Sequence, residues 1–228
     1  MASEELIPAA TVILGRNGSS GLEILMLKRN SKIAFGGAWV FPGGRVDPGD
    51  SGSGELEKAR SAAVRESGEE TGLVVKHASM HVWSYWAPPQ AQEMVTSGTK
   101  RRFSTWFFFA PAPANDLVTV DMGEIQEHRW LPPAEAIDLH RRAEIELIPP
   151  TWVTLHQLAS HSTTESVTRA ASGSFDPPQF VTRPIPGDPV ILTWEGDVAY
   201  DDRSLRDSPG ARNRLTMSAG NWFYERRQ

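Results

Sequence analysis

Hydrophobic and polar positions divide the chain into strand-like runs followed by helical ones. Residues 6–15 are β-branched and apolar without helical period and predict a strand, and residues 22–28 predict a second. Between them, Arg16-Asn17-Gly18-Ser19-Ser20-Gly21 has the composition of a hairpin turn, with Asn-Gly as its strongest signal. Trp39-Val40-Phe41 predicts a short buried strand stopped by Pro42-Gly43-Gly44, and residues 47–54 read as a loop.

The clearest helix follows, with Ser53 as the expected cap, Glu55 and Glu57 favouring the first turn, and Gly72 ending it. Further strands are predicted over 81–86, 102–110 and 125–131, then helices over 133–142 and 150–160, with 166–171 extending the helical region. From Gly173 the chain turns Pro-rich, with short strands at 190–194 and 221–226. No internal repeat or clean linker is visible. The expectation is one domain over 1–228, with a core over about 6–160 and a C-terminal extension packed on the same body. The fold class is α+β, as an α/β/α sandwich with a mixed central sheet.

On the central helix, Leu56, Ala59, Ala62 and Ala63 form a small apolar stripe expected to face the sheet. Glu66, Glu69 and Glu70 fall on one side at the end of that stripe, since positions three and four apart are neighbours. Desolvation and mutual repulsion both disfavour three ionised carboxylates there. Hard divalent cations with oxygen ligands relieve that cost. Arg65 is placed to pair with Glu69 one turn on. A lone acidic cluster of this kind is more often a solvated helix face. Arg65 directly before it, Thr71-Gly72-Leu73 directly after it and Phe41-Pro42-Gly43-Gly44 upstream reverse that reading.

Composition narrows the chemistry. The 228 residues contain no cysteine, which excludes disulfides, thiolate nucleophiles and zinc–thiolate sites. A net charge of −5 argues against general nucleic-acid binding but leaves room for anionic small molecules bridged by metal. No apolar run is long enough for a membrane helix, and residues 1–10 lack the basic and apolar regions of a signal peptide. The expected compartment is the cytoplasm.

Gly43-Gly44, Glu57 and Arg65-Glu66-Ser67-Gly68-Glu69-Glu70-Thr71-Gly72-Leu73 resemble the Nudix box. Two departures are visible: the Gly44-to-Glu57 stretch is about seven residues longer than the family spacing, and Ser67 fills a usually aliphatic position. The resemblance implies a Nudix fold and a Mg²⁺- or Mn²⁺-dependent hydrolase of diphosphate linkages. Matched by position, Glu66 and Glu70 would be the principal metal ligands, with the carbonyl of Gly44. Glu69 would ligate a further metal or orient water, Arg65 would brace a glutamate, and Glu57 would support from behind. Many members use a later carboxylate as base or ligand, for which Glu124 fits best and Glu127 second.

A closer resemblance links Leu27-Lys28-Arg29-Asn30-Ser31, residues 35–44, residues 100–108 and Ile148-Pro149-Pro150-Thr151 to the coenzyme A and acyl-coenzyme A diphosphatase branch. It implies cleavage of coenzyme A or its thioesters into 3′,5′-ADP and a 4′-phosphopantetheine half. The branch's motif expects an Arg where Ile33 stands; Arg29, Lys100, Arg101 and Arg102 are the candidates for phosphate contacts. Aromatics such as Trp83, Tyr85, Trp86, Phe103 and Trp106 stack a base, line an acyl groove or simply build core. ADP-ribose, NADH or a dinucleoside polyphosphate is the alternative substrate, and a non-catalytic nucleotide-sensing module is the alternative from another class. The resemblance also raises the expectation of a homodimer.

Overall fold

The computed structural model describes residues 6–30, 37–90, 102–120, 123–173 and 176–227. Among these, nine strands join one mixed sheet and four more form a second, antiparallel sheet. Strand β1 (Ile7–Gly18) turns back into β2 (Gly21–Arg29), and β3 (Ala38–Val40) and β4 (Gly43–Arg45) follow. Helix α1 (Glu55–Thr71) precedes β5 (His81–Ala87), β6 (Phe103–Pro111) and β7 (Ile125–Leu131). Helix α2 (Pro133–Arg141), the short β8 (Glu146–Leu147), α3 (Pro149–Leu158) and α4 (Thr164–Ser172) complete the region. The extension then adds β9 (Gln179–Val181), β10 (Arg183–Ile185), β11 (Val190–Thr193), β12 (Arg212–Ser218) and β13 (Asn221–Arg227).

The central strands read as continuous apolar runs because both faces of the sheet are covered. Ala10, Val12 and Leu14 of β1, Leu25 and Leu27 of β2, and Phe108 and Ala110 of β6 pack with Ala59, Ala62 and Ala63 of α1. The alternate residues Ile13, Ile24, Met26, Phe107 and Phe109 pack on the opposite face with Trp152, Val153 and Leu155 of α3 and Val167 of α4. That is the expected α/β/α sandwich. Trp194, Leu215 and Tyr224 of the extension belong to this second core.

Several local expectations are corrected. Asn17-Gly18 is not the turn: Asn17 pairs with Leu22 and Gly18 with Gly21, leaving Ser19-Ser20 as the two-residue connection. The Asn17 side chain instead accepts a 2.8 Å hydrogen bond from the Thr164 N–H at the start of α4. Ser53 does not cap α1; Gly54 stands at the cap with no side-chain hydrogen bond. Gly72 does end the helix, left-handed at φ 73°, with its N–H on the Gly68 carbonyl. Gly43-Gly44 does not merely stop a strand. It begins β4, antiparallel to β1 through Thr11↔Gly43 and Ala10↔Gly44, and this pairing positions the site. Among the described residues no helix is long and apolar enough to cross a membrane.

Candidate functional site

The site forms where the last turns of α1 meet β4. Gly43 lies so close to β1 that a Cβ there would stand 2.7 Å from the Thr11 Cα. At Gly44 an added Cβ would run into the Glu66 carboxylate itself. The two glycines therefore let backbone approach β1 on one side and Glu66 on the other, and any larger side chain would displace the acid. The Gly43 N–H donates to Glu70 Oε2 at 2.9 Å.

Glu66 and Glu70 are both pushed above the ordinary carboxylate range. For Glu66 the cause is burial, with Glu69 and Glu124 adding repulsion against the opposing pull of Arg65. Glu70 is raised to about 7, chiefly by burial, with Glu66 and Glu124 adding to it. The Gly43 hydrogen bond and the positive charge of Arg29 oppose the rise without cancelling it. Glu69 differs: its side chain is 60% exposed and meets Arg65 Nη1 at 3.0 Å. Ser67, at the usually aliphatic position, is fully buried but donates to the Leu73 carbonyl at 2.9 Å, so its hydroxyl is satisfied.

Arg65 organises the cluster. Nη1 donates to Glu66 Oε1 at 2.8 Å and to Glu69 Oε2, while Nη2 donates to the Arg45 carbonyl at 3.0 Å. The other side of the guanidinium is held by Asp50, Nε to Oδ1 at 3.0 Å and Nη2 to Oδ2 at 3.1 Å. Asp50 is itself fixed by the Asp47 N–H at 2.7 Å. Burial would raise the Asp50 carboxyl, but the Arg65 fork and that N–H hold it below its usual range.

Glu57 is not part of this arrangement. It is half-exposed and lies 3.9 Å from Arg60, while the carboxylate that meets the other side of Arg65 is Asp50. Sequence reasoning passed over Asp50, although the signal was present. Counting the family spacing forward from Gly44, so that the seven extra residues fall on the Arg65 side, leads to position 50.

Across the site, Arg29 Nη2 lies 3.6 Å from Glu124 Oε2. The Asn30 N–H donates to the Glu124 carbonyl, which ties the start of β7 to the end of β2. Arg29 Nε is buried without a hydrogen-bond partner. Glu66, Glu69, Glu124, Arg29 and Arg102 all line one cleft of about 720 Å³. Glu127 does not line it and pairs with Arg129 at 2.7 Å. Arg102 spends two N–H groups on the Pro89 carbonyl, at 3.0 and 2.8 Å. Lys100, Arg101 and Ile33 lie outside the described residues. Of the aromatic candidates, Trp86 and Phe103 line the cleft. Trp106 packs near α1 and donates to Glu55, while Trp83 donates to Gln157 of α3.

Among the described residues no three Asp, Glu or His side chains come together as a ready metal-holding group, and Arg65 takes one oxygen each of Glu66 and Glu69. The donor set nevertheless suits a hard cation. Burial disfavours ionisation of Glu66 and Glu70, and the nearby arginines do not cancel that cost, whereas a bound divalent cation would.

A model of the NUDIX domain matches residues 6–150. The acyl-coenzyme A diphosphatase NUDT19 of Homo sapiens is 33% identical over 82 residues, covering 36% of this chain and 20% of that protein. Its Xenopus laevis counterpart is 22% identical over 236 aligned positions, covering 63% of this chain and 61% of that protein. The chain thus spans less than two thirds of either relative's length. The crystal structure of a NUDIX hydrolase from Alicyclobacillus acidocaldarius superposes with a TM-score of 0.62 at 18% identity, covering 74% of this chain and 97% of that one. At that identity the likeness is one of fold.

Proposed function

The chain belongs to the NUDIX domain family, and from that premise we propose that it is a divalent-metal-dependent hydrolase of a diphosphate linkage in a nucleotide derivative, with coenzyme A or an acyl-coenzyme A as substrate. The observation that carries this reading is the pair Glu66 and Glu70. Both are raised above the ordinary carboxylate range; Glu70 takes the Gly43 N–H, and Glu66 lines with Gly43 and Gly44 a cleft that also holds Arg29 and Glu124.

Glu66 and Glu70, with the Gly44 carbonyl, would hold Mg²⁺ or Mn²⁺, and Glu69 would take a further ion or orient water. When bound, such ions neutralise the diphosphate oxygens and lower the pKa of water. Arg65, fixed by Asp50, keeps the Glu66 carboxylate over Gly44. Arg29 and Arg102 supply positive charge for phosphate oxygens, Arg by its planar fork. Arg101 belongs to the same proposal by its position in the sequence. Glu124, free on its solvent side, accepts the proton of the attacking water. Water adds to one phosphorus, the bridging P–O bond breaks, and the halves leave as two phosphomonoesters. Acyl-coenzyme A is favoured over other nucleotides because NUDT19 of Homo sapiens and Xenopus laevis carries that activity in its name. Ile148-Pro149-Pro150-Thr151, one of the stretches behind that resemblance, also lines the cleft.

The test is a panel of coenzyme A, acetyl-coenzyme A, ADP-ribose, NADH and diadenosine polyphosphate, incubated with Mg²⁺ or Mn²⁺ and resolved by chromatography. Release of 3′,5′-ADP from coenzyme A, lost in Glu70→Gln, is the expected result. Turnover of another member alone rejects the coenzyme A assignment. Ligand binding with no turnover of any member moves the weight to a nucleotide-sensing role.

A further inference from the structure

The matched domain ends at residue 150, yet the cleft does not. Thr182, Leu192 and Trp194, all from the extension, form part of its wall. Their position relative to the acids follows from strand register. One cross-strand row runs Arg45 on β4, Ala9 on β1, Thr105 on β6, Trp86 on β5 and Phe180 on β9. At the first end, the Arg45 carbonyl receives the Arg65 guanidinium of the acidic cluster. At the other end, Phe180 stacks on Trp86 at 4.0 Å, and Trp194 stands edge-on to both at 5.3 and 5.5 Å. Four strand spacings separate these ends, about 19 Å.

The character of the cleft changes along that row. The acids gather at the β4 end with Arg29 and Arg65, Arg102 is held at the Pro89 carbonyl beyond β5, and the β9 end presents Trp86, Trp194 and Leu192 with the hydroxyl of Thr182. Both indole N–H groups there are already used, Trp194 Nε1 on Thr182 Oγ1 at 3.0 Å and Trp86 Nε1 on Ser84 Oγ at 3.0 Å. The indole N–H groups of the far wall therefore ask a ligand for no hydrogen bonds. Leu192 is its half-buried aliphatic side chain, on β11 between Pro184 and Leu215, packed against the main core.

We propose that the C-terminal extension is the specificity wall of this cleft, with Leu192 as a specificity-determining residue: it receives the apolar chain of a substrate whose diphosphate lies at the β4 end. The inference rests on the diphosphatase reading for its placement of the diphosphate. The wall itself is continuous with the acidic pole, and its chemistry fits a hydrocarbon chain. Each methylene taken from water strengthens binding by up to about fourfold, so affinity rises with chain length until the wall is filled.

The experiment compares coenzyme A with its acetyl, hexanoyl and decanoyl thioesters on the wild-type chain, Leu192→Asn and Leu192→Met. It reads binding by calorimetry in EDTA and turnover in Mg²⁺. The wild type binds longer chains more tightly, Leu192→Asn lowers the decanoyl-to-acetyl affinity ratio by about tenfold, and Leu192→Met preserves it. The same ratio is expected in kcat/KM. Equal affinity of the wild type for all chain lengths overturns the proposal, as does an unchanged ratio in a folded Leu192→Asn. Chain-length-dependent binding without hydrolysis of any thioester keeps the wall and rejects the catalytic reading, so the two failures are distinct.

Discussion

Asp50 grips Arg65 with both carboxylate oxygens, at 3.0 and 3.1 Å, from a loop that the family spacing makes shorter. The pairing matters because Arg65 in turn holds Glu66 and Glu69. Asp50→Ala is expected to reduce turnover about 10- to 100-fold, the range found when a group supporting a metal ligand is removed. Glu57→Gln, which loses only the loose approach to Arg60, is expected to stay close to wild type. Steady-state kinetics of the two variants checks the contrast. Equal losses would mean that Glu57 supports the site as much as Asp50 does.

Gly44→Ala tests the close approach of backbone and acid. The new methyl would occupy the space of the Glu66 carboxylate, so that side chain must move. The expected outcome is loss of Mn²⁺ affinity of about tenfold or more with little change in fold, because β4 is only three residues long. Calorimetric titration of Mn²⁺ with circular dichroism as control reads both quantities.

The extension carries its own electrostatic anchor. Asp197 and Arg214 are buried, with Arg214 Nε and Nη2 on the two Asp197 oxygens at 2.7 and 2.5 Å. Burial alone would raise the Asp197 carboxyl. The Arg214 hydrogen bond and the N–H groups of Ala199 and Asn213 hold it below the usual carboxylate range instead. A folded-state pKa below the unfolded one gives stability that is present above the unfolded value and lost as pH falls through the folded one. Urea denaturation is therefore expected to show a loss of stability beginning near pH 4, as the unfolded chain takes up the proton first. Asp197→Asn, which leaves Arg214 charged and buried, is expected to cost about 3–5 kcal/mol at pH 7 and to flatten the acid limb.

What the sequence revealed followed from periodicity and spacing. The α1 stripe of Ala59, Ala62 and Ala63 and the acids after it were legible because a helix places them by simple arithmetic. The tail was less so. Strand β12 begins Arg212-Asn213-Arg214, which reads as a polar surface segment, yet all three side chains are buried. Partners outside β12 make that burial possible: Asp197 accepts from Arg214, the Asn213 side chain donates to the Glu195 carbonyl and accepts from the Tyr224 hydroxyl, and Arg212 donates to the Ser208 carbonyl. Asn17 misled for a similar reason. Its side chain is spent on the first turn of α4, a partner that local turn chemistry cannot foresee.

Asp50 was hidden differently. The insertion leaves two acids, Asp50 and Glu57, each at the family spacing from one end of the motif, and only the direction of the Arg65 guanidinium decides between them. The cleft's far wall had no sequence signal at all, since Trp86 and Phe180 meet through the pairing of β5 with β9 and Trp194 reaches both from the end of β11 in the second sheet.

The most direct measurement is phosphorus NMR of coenzyme A incubated with the protein in Mg²⁺, with EDTA and with Glu70→Gln as parallel samples. The account predicts that the diphosphate resonances give way to phosphomonoester signals in the first sample and persist in the other two. Diphosphate that survives in all three, or that disappears equally with EDTA, would contradict it.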